Sequence, residues 1–101
     1  MFGNMMEKLQ QMQQKMEESK RRLDNITVEG EAGSGAVKAE FTGNRKLKGI
    51  VIQHALLNPE SKEELEDLIA VAVNRGLEQA ERVWEAEMKN SASGMLPGMG
   101  F

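Results

Sequence analysis

The stretch ITVEGEAGSGAVKAEFTG, residues 26–43, decides the fold because apolar side chains alternate with polar ones on both sides of its glycine-rich centre. A period of two is typical of strands that have one covered face. A third apolar run, KLKGIVIQ at residues 46–53, follows the turn-forming segment TGNRK. The short connections predict three antiparallel strands arranged as a meander.

The glycines at the centre of this stretch, GEAGSGAV at residues 30–37, have two possible interpretations. A phosphate-binding loop would lead into a helix and end in Gly-Lys-Ser/Thr, and a dinucleotide fingerprint would also open a helix. Here the segment leads into an alternating strand, and no such ending follows. We therefore predict a hairpin turn, in which glycine supplies positive φ angles.

Residues 4–24 are predicted to form a helix with a narrow apolar stripe. Its positions repeat as in a coiled coil, and we call them the α1 seam: Met5, Leu9, Met12, Met16 and Leu23, with Ser19 at the one polar position. So thin a stripe cannot stabilise a helix in isolation, and methionine suits packing against another helix. The sequence therefore predicts that this helix needs a partner.

A second helix is predicted over residues 61–90, beyond the meander. Ser61 and Glu64 have the spacing of a capping box, and Pro59 stands just before them. The apolar stripe is broad enough to cover the sheet, and Gly76 within it predicts a close approach by another backbone. We expect one domain over residues 1–90 and a flexible tail over residues 91–101, whose residues are small and turn-forming.

Composition excludes several classes of function. The chain of 101 residues has no cysteine, so it can form neither disulfides nor thiolate sites. Its single histidine, His54, does not indicate a metal site. Its serines lie outside any nucleophile-elbow motif. We expect no cofactor, no metal and no enzymatic activity. The polar N-terminal residues do not resemble a signal peptide, and no stretch would span a bilayer, so a cytoplasmic protein is expected.

The net charge of −3 is unevenly distributed along the chain. Residues 1–25 carry five basic against four acidic side chains, and residues 26–58 carry four against three. Residues 59–101 carry four basic against nine acidic side chains. The basic side chains therefore cluster before the second helix, although the overall charge argues mildly against nucleic acid.

Taken together and in this order, four segments closely resemble the YbaB/EbfC family of bacterial nucleoid-associated proteins: QQMQQKMEE, VEGEAGSGAVKAEFTG, LLNPESKEELEDLIAVAVNRGLEQA and GMLPGMGF. The resemblance covers essentially the whole chain. It implies an α+β fold and an intertwined homodimer whose sheets join at the centre and whose helices project as paired arms. It also implies binding of duplex DNA with low sequence preference, nucleoid organisation and gene regulation.

If the chain binds DNA, lysine and arginine contacts to phosphates should supply most of the affinity. The candidate residues are Lys8, Lys15, Lys20, Arg21, Arg22, Arg45, Lys46 and Lys48. Each has a structural alternative, such as solubilising an exposed face or complementing the negative end of a helix. Trp84 is expected to pack in the core or the dimer interface rather than on a base. Two helical ion pairs are also expected, Glu78 with Arg82 and Glu85 with Lys89.

A second class of function is a dimeric adaptor whose helical arms bind another protein. The α1 seam, the acidic start of the second helix and the tail all suit protein contacts, although the sequence identifies no protein partner. Lying on a membrane surface is disfavoured, because acids balance the basic residues of the first helix. Charge reversal of the basic clusters separates the first two classes, since it should abolish only DNA binding.

Overall fold

Two long helices flank a small sheet in the computed structural model, which describes the backbone of residues 2–95 and the side chains of residues 3–91. The elements are α1 (Phe2–Asp24), β1 (Thr27–Ala32), β2 (Val37–Thr42), β3 (Leu47–Ile52) and α2 (Lys62–Met95). Short 3₁₀ turns at His54–Leu56 and Pro59–Ser61 lead from β3 into α2. The predicted α+β order of helix, meander and helix is confirmed.

The sheet has the order β1-β2-β3, and both pairs of strands are antiparallel. In β2 every second side chain is buried, as the alternation predicts. The β1–β2 hairpin turns through Gly33, Ser34 and Gly35, with φ angles of 63°, 57° and 89°. The glycine-rich centre is therefore the turn of a hairpin, as predicted, and Ser34 shares its left-handed conformation.

Helix α2 packs on β1 and β2 at a backbone-to-backbone distance that only small residues permit. A Cβ atom at Gly30 would overlap the backbone nitrogen of Gly76 and the carbonyl oxygen of Ala72. A Cβ atom at Gly76 would lie 2.7 Å from the ring of Phe41. The close backbone approach predicted at Gly76 is confirmed, and Gly30 is its counterpart on the sheet.

The buried core lies between α2 and the first two strands. Val37, Ala39 and Phe41 of β2 are almost fully buried there against Ala72 and Ala80 of α2. Strand β3 is less covered, because α2 lies over its two neighbours. Its side chains Leu47, Ile50 and Val51 are exposed; that of Val51 is 55% exposed. Among the described residues, nothing covers this apolar edge strand.

Over the residues that the structure describes, helix α1 is buried against the rest of the chain near its C-terminal end. Ser19 and Leu23 are fully buried, whereas Met5 remains 66% exposed and Met12 42% exposed. The remainder of α1 projects outward, so the molecule measures 69 × 23 × 17 Å. The α1 seam is therefore divided: its last two positions are buried within the chain, and the others face outward.

Helix α2 begins and ends differently from the prediction. The predicted capping box at Ser61 is wrong, because the side chain of Asn58 caps the preceding 3₁₀ turn and accepts a hydrogen bond from the Ser61 backbone N–H at 3.0 Å. Pro59 is the first residue of that turn. At the other end, α2 continues past residue 90 to Met95. Residues 96–101 of the predicted tail lie outside the described residues.

The contact between Gly30 and α2 predicts a stability effect. Gly30→Ala should destabilise the fold by about 3 kcal/mol or more, since the new methyl group overlaps helix backbone that cannot yield without moving α2. Gly49→Ala in β3 is the matched control, because a Cβ atom at that position would have nothing within 4 Å. Urea denaturation of both variants at equal protein concentration tests this. Equal stability of the two variants would contradict the packing described.

Candidate nucleic-acid interface

The turn between β2 and β3 is fastened to the C-terminal end of α1. The Asn44 side-chain amide donates to the Lys20 carbonyl oxygen at 2.9 Å and to Oδ1 of Asp24 at 2.5 Å. The Gly43 backbone N–H donates to the Leu23 carbonyl oxygen at 2.9 Å. Two basic clusters that are separate in the sequence therefore lie at one place in the fold.

Arg45 extends from this turn over Trp84 of α2. Its guanidinium carbon lies 4.1 Å from the centroid of the indole ring, the geometry of a cation–π contact. The backbone of Arg45 has a positive φ of 65°, and its N–H donates to the Thr42 carbonyl oxygen at 3.0 Å. Trp84 is half-buried and lines an open depression of about 280 Å³, together with Met16, Glu17, Lys20, Asn44 and Met88.

We call Lys20, Arg21, Arg45 and Lys46 the basic corner. Lys20 and Arg45 adjoin the junction between the turn and α1, Arg21 and Lys46 follow them in the sequence, and all four are exposed. Lys48 lies further along β3, where its ammonium group donates to Oγ1 of Thr27 at 2.8 Å. The structure thus brings the two segments that carry these four of the eight predicted DNA-binding residues together at one junction.

Arg22, by contrast, takes part in the junction between the two helices. Its Nε and Nη2 atoms donate to Oε1 of Glu87 at 2.9 and 2.5 Å, and Nη2 also donates to Oγ of Ser19 at 3.2 Å. Ser19 is fully buried, and its hydroxyl lies 2.6 Å from that of Ser91. Arg22 therefore forms part of the connection between α1 and α2.

The Arg22 guanidinium lowers the pKa of Glu87 through its hydrogen bond, and partial burial opposes that shift only in part. The lowered pKa means that the ion pair stabilises the folded chain most when Glu87 is ionised. This pair and the Lys38–Glu29 pair are the ion pairs found among the described side chains. The predicted pairs of Glu78 with Arg82 and Glu85 with Lys89, which lie within that part of the chain, are not formed.

Lys8 and Lys15 lie apart from the basic corner. Both are exposed on α1, and Lys8 lies on its projecting part. Lys15 borders an open cleft of about 250 Å³ between α1 and α2, which Glu18, Arg22, Glu87, Asn90 and Ser91 also line. Carboxylates on both walls make this cleft a mixed-charge surface rather than a basic one.

Five of the nine acidic residues from position 59 onward lie together at the far end of α2. Glu60, Glu63, Glu64, Glu66 and Asp67 lie near its start. From Asp67 to Trp84 the helix axis rises by about 26 Å, at 1.5 Å per residue. That distance exceeds the Debye length of about 8 Å at physiological ionic strength. This group of five is therefore well screened from the basic corner, whereas Glu17 and Asp24 of α1 lie beside it.

The described part of the chain offers neither a metal-binding cluster nor a membrane-spanning helix. No group of three or more histidine, cysteine, aspartate or glutamate side chains there is arranged to hold a metal ion. Neither α1 nor α2, over the residues that the structure describes, is long and apolar enough to cross a membrane.

Comparison with known proteins identifies the family. The model of the YbaB/EbfC DNA-binding family matches residues 1–95. The chain belongs to the YbaB/EbfC DNA-binding family. The resemblance inferred from the four sequence segments is thereby confirmed, over the same span that carries the two helices and the sheet.

Relatives in the family match nearly the whole chain. A nucleoid-associated protein of Afipia carboxidovorans is 38% identical over 101 residues, which cover 99% of this chain and 96% of that protein. One from Flavobacterium johnsoniae is 40% identical, with 94% and 88% covered. The crystal structure of an uncharacterized protein from Helicobacter pylori has a TM-score of 0.76, 24% identity, and coverage of 94% and 96%. This last likeness shows the shared fold.

Sequence reasoning missed the contacts that assemble the site. Asparagine is common in turns, and the sequence indicates no more than that for Asn44. Only its hydrogen bonds to α1 reveal that it joins two elements. Trp84 was expected in the core or a dimer interface, whereas the structure places Arg45 over its ring. Nothing in the charge run that contains Arg21 and Arg22 indicated that these two neighbours would have different surroundings in the fold.

The Arg22–Glu87 pair predicts a pH dependence of stability. Because the folded pKa of Glu87 is lowered, its contribution is fully present above the ordinary glutamate pKa of about 4.3 and is lost as the pH falls through the folded pKa. The stability difference between the natural chain and Glu87→Gln should therefore be largest near pH 7 and shrink below about pH 4. Urea denaturation across this pH range measures it.

The control for this measurement is Glu81→Gln, which removes one carboxylate from the exposed surface of the same helix. Its effect on stability should be small throughout. If Glu87→Gln behaved like Glu81→Gln at every pH, the ion pair would have no role in joining the helices.

Proposed function

We propose that this chain is a nucleoid-associated protein that binds duplex DNA as a homodimer, mainly through phosphates and with low sequence specificity. The single observation that carries the proposal is the basic corner, which Asn44 assembles from α1 and the β2–β3 turn. Membership of a DNA-binding family and the names of its relatives support the same conclusion. We place the protein in the cytoplasm, at the nucleoid.

The basic corner suits phosphates better than base edges. Its residues lie at a helix end and in a tight turn that Asn44 joins, instead of in a row along one helix face. Such a surface neutralises backbone phosphates, which carry no sequence information. Low specificity follows from this arrangement. Binding along many sites would organise the nucleoid and alter the expression of genes beneath those sites.

A homodimer would cover the apolar surface that the single chain leaves exposed. The outward part of the α1 seam and the edge strand β3 are both apolar, and no described residue covers them. A twofold axis would pair like surfaces and duplicate the basic corner. Two corners on one particle would engage more phosphates than either alone. We propose that α1 contributes to this interface as a projecting arm.

DNA binding should depend steeply on salt. The logarithm of the association constant should fall linearly with the logarithm of salt concentration, by about 0.9 for each phosphate contact. Fluorescence anisotropy of a labelled duplex, titrated at several salt concentrations, measures this slope. Replacing Lys20 and Lys46 together by glutamine should reduce both the affinity and the slope.

The matched control replaces Lys62 and Lys89 by glutamine, which removes the same charge from the two ends of α2. That variant should keep the slope of the natural chain. Absence of binding by the natural chain even at low salt would overturn the DNA proposal. Retention of a protein ligand by the Lys20/Lys46 variant, without DNA binding, would support the adaptor function instead.

The oligomeric state is predicted to depend on the α1 seam. Met12→Lys places a charge in the outward seam and should weaken the dimer at least tenfold, because an unpaired ammonium group would be buried there. Gln14→Lys adds the same charge on the opposite face of the helix and should leave the dimer intact. Sedimentation velocity at several protein concentrations distinguishes these results. A dimer unaffected by Met12→Lys would exclude the seam from the interface.

A further inference from the structure

We propose that Trp84 positions Arg45 as a preorganised phosphate anchor within the basic corner. The inference rests on the proposed DNA binding and assigns to Trp84 a role that composition and family membership do not. Trp84 acts through Arg45, so it is a positioning residue rather than one that contacts DNA. The observation behind it is the guanidinium carbon of Arg45, 4.1 Å from the centroid of the indole ring.

A guanidinium group held over an aromatic ring keeps N–H donors available for another partner. The attraction to the aromatic ring is a cation–π contact and not a hydrogen bond to an acceptor, and a guanidinium group carries five N–H donors. Two of these donors match the spacing of phosphate oxygens and bind them as a pair. The contact with Trp84 therefore restricts the Arg45 side chain without occupying the N–H donors that bind phosphate.

The backbone of Arg45 is restrained as well. Its N–H donates to the Thr42 carbonyl oxygen at 3.0 Å, and the preceding residue, Asn44, is bonded to α1. With both ends of the side chain held, little rotational freedom remains to be given up when a phosphate binds. A free surface arginine would lose that freedom on binding.

The charge of Arg45 also remains available. Among the described side chains, no carboxylate lies within the 4.0 Å that defines an ion pair with it. Arg22 shows the opposite arrangement, since Glu87 neutralises it within the helix junction. Two arginines near the same junction thus have different partners: a carboxylate for Arg22 and an aromatic face for Arg45. Only the second combination leaves a net positive charge for DNA.

Trp84 is not part of the buried core. Its ring is half-buried and borders the open depression beside Lys20 and Asn44, rather than the buried cluster between α2 and the sheet. This placement brings the indole ring to the surface at the basic corner. It also makes the contact measurable, because Trp84 is the only tryptophan and the chain has no tyrosine.

A double-mutant cycle with a labelled duplex at fixed low salt tests the proposal on the full chain. Arg45→Ala should weaken binding about tenfold and lower the salt slope by about 0.9 for each phosphate that is no longer neutralised. Trp84→Leu should weaken binding about threefold, since the positive charge remains but is no longer held. The double variant should bind like Arg45→Ala alone, because Trp84 acts only through Arg45.

Three further variants serve as controls. Trp84→Phe keeps an aromatic face and should bind within about twofold of the natural chain. Arg45→Lys keeps the charge but not the paired donors, and should bind with an affinity between those of the natural chain and Arg45→Ala while keeping the salt slope. Arg82→Ala removes one exposed charge from α2 and should leave the affinity nearly unchanged. Far-ultraviolet circular dichroism confirms that each variant is folded.

Tryptophan emission supplies a readout that needs no DNA. Arg45→Ala should shift the emission of Trp84 in the free protein, whereas Arg82→Ala should not. An equal loss from Trp84→Leu in the natural and Arg45→Ala backgrounds would overturn the positioning role, as would unchanged affinity of Trp84→Leu. If the natural chain binds DNA but the losses from Trp84→Leu and Arg45→Ala are additive, the positioning role of Trp84 is overturned and the proposed DNA binding is not. Absence of any binding by the natural chain would overturn the proposed function together with it.

Discussion

The close approach of Gly30 and Gly76 is the constraint on which the rest of the structure depends. It lets the backbone of α2 lie directly on the sheet, where a single added methyl group would overlap main-chain atoms. Small residues at Ala72 and Ala80 continue the same close packing. A helix seated this tightly has little freedom to slide or tilt, because protein interiors are close-packed. The direction of α2 beyond the sheet is thereby set.

That direction determines how α1 is attached. As α2 passes the sheet it presents Trp84, Glu87 and Ser91 to the C-terminal end of α1. The resulting junction is largely polar: paired hydroxyl groups at its centre, an ion pair on one flank, and the stacked arginine on the other. Polar contacts specify one arrangement of the two helices, since misplaced partners would leave buried groups without hydrogen bonds.

A polar junction leaves the apolar part of α1 available for other contacts. The outward seam residues and the edge strand β3 remain exposed, and the two surfaces together account for the proposed dimer. The same architecture places a group of five acidic residues at the start of α2, far from the basic corner near its other end. Screening therefore limits the effect of that distant acidic group on the basic corner.

Local patterns in the sequence determined the helices, the meander, the glycine hairpin and the need for a small residue at Gly76. These features depend on neighbours within a few positions, or on one residue without a side chain, so periodicity and composition reveal them. The family, too, was recognisable from four segments. The predicted cap at Ser61 failed because Asn58, three residues earlier, accepts the hydrogen bond of the Ser61 N–H and starts a 3₁₀ turn there. Only the tertiary structure decided which basic residues have a carboxylate partner within the described part of the chain: Arg22 pairs with Glu87, 65 positions away, whereas its neighbour Arg21 stays at the surface. The physical reason is that such pairing depends on where α2 lies relative to α1, which the close packing at Gly30 sets and no local pattern records.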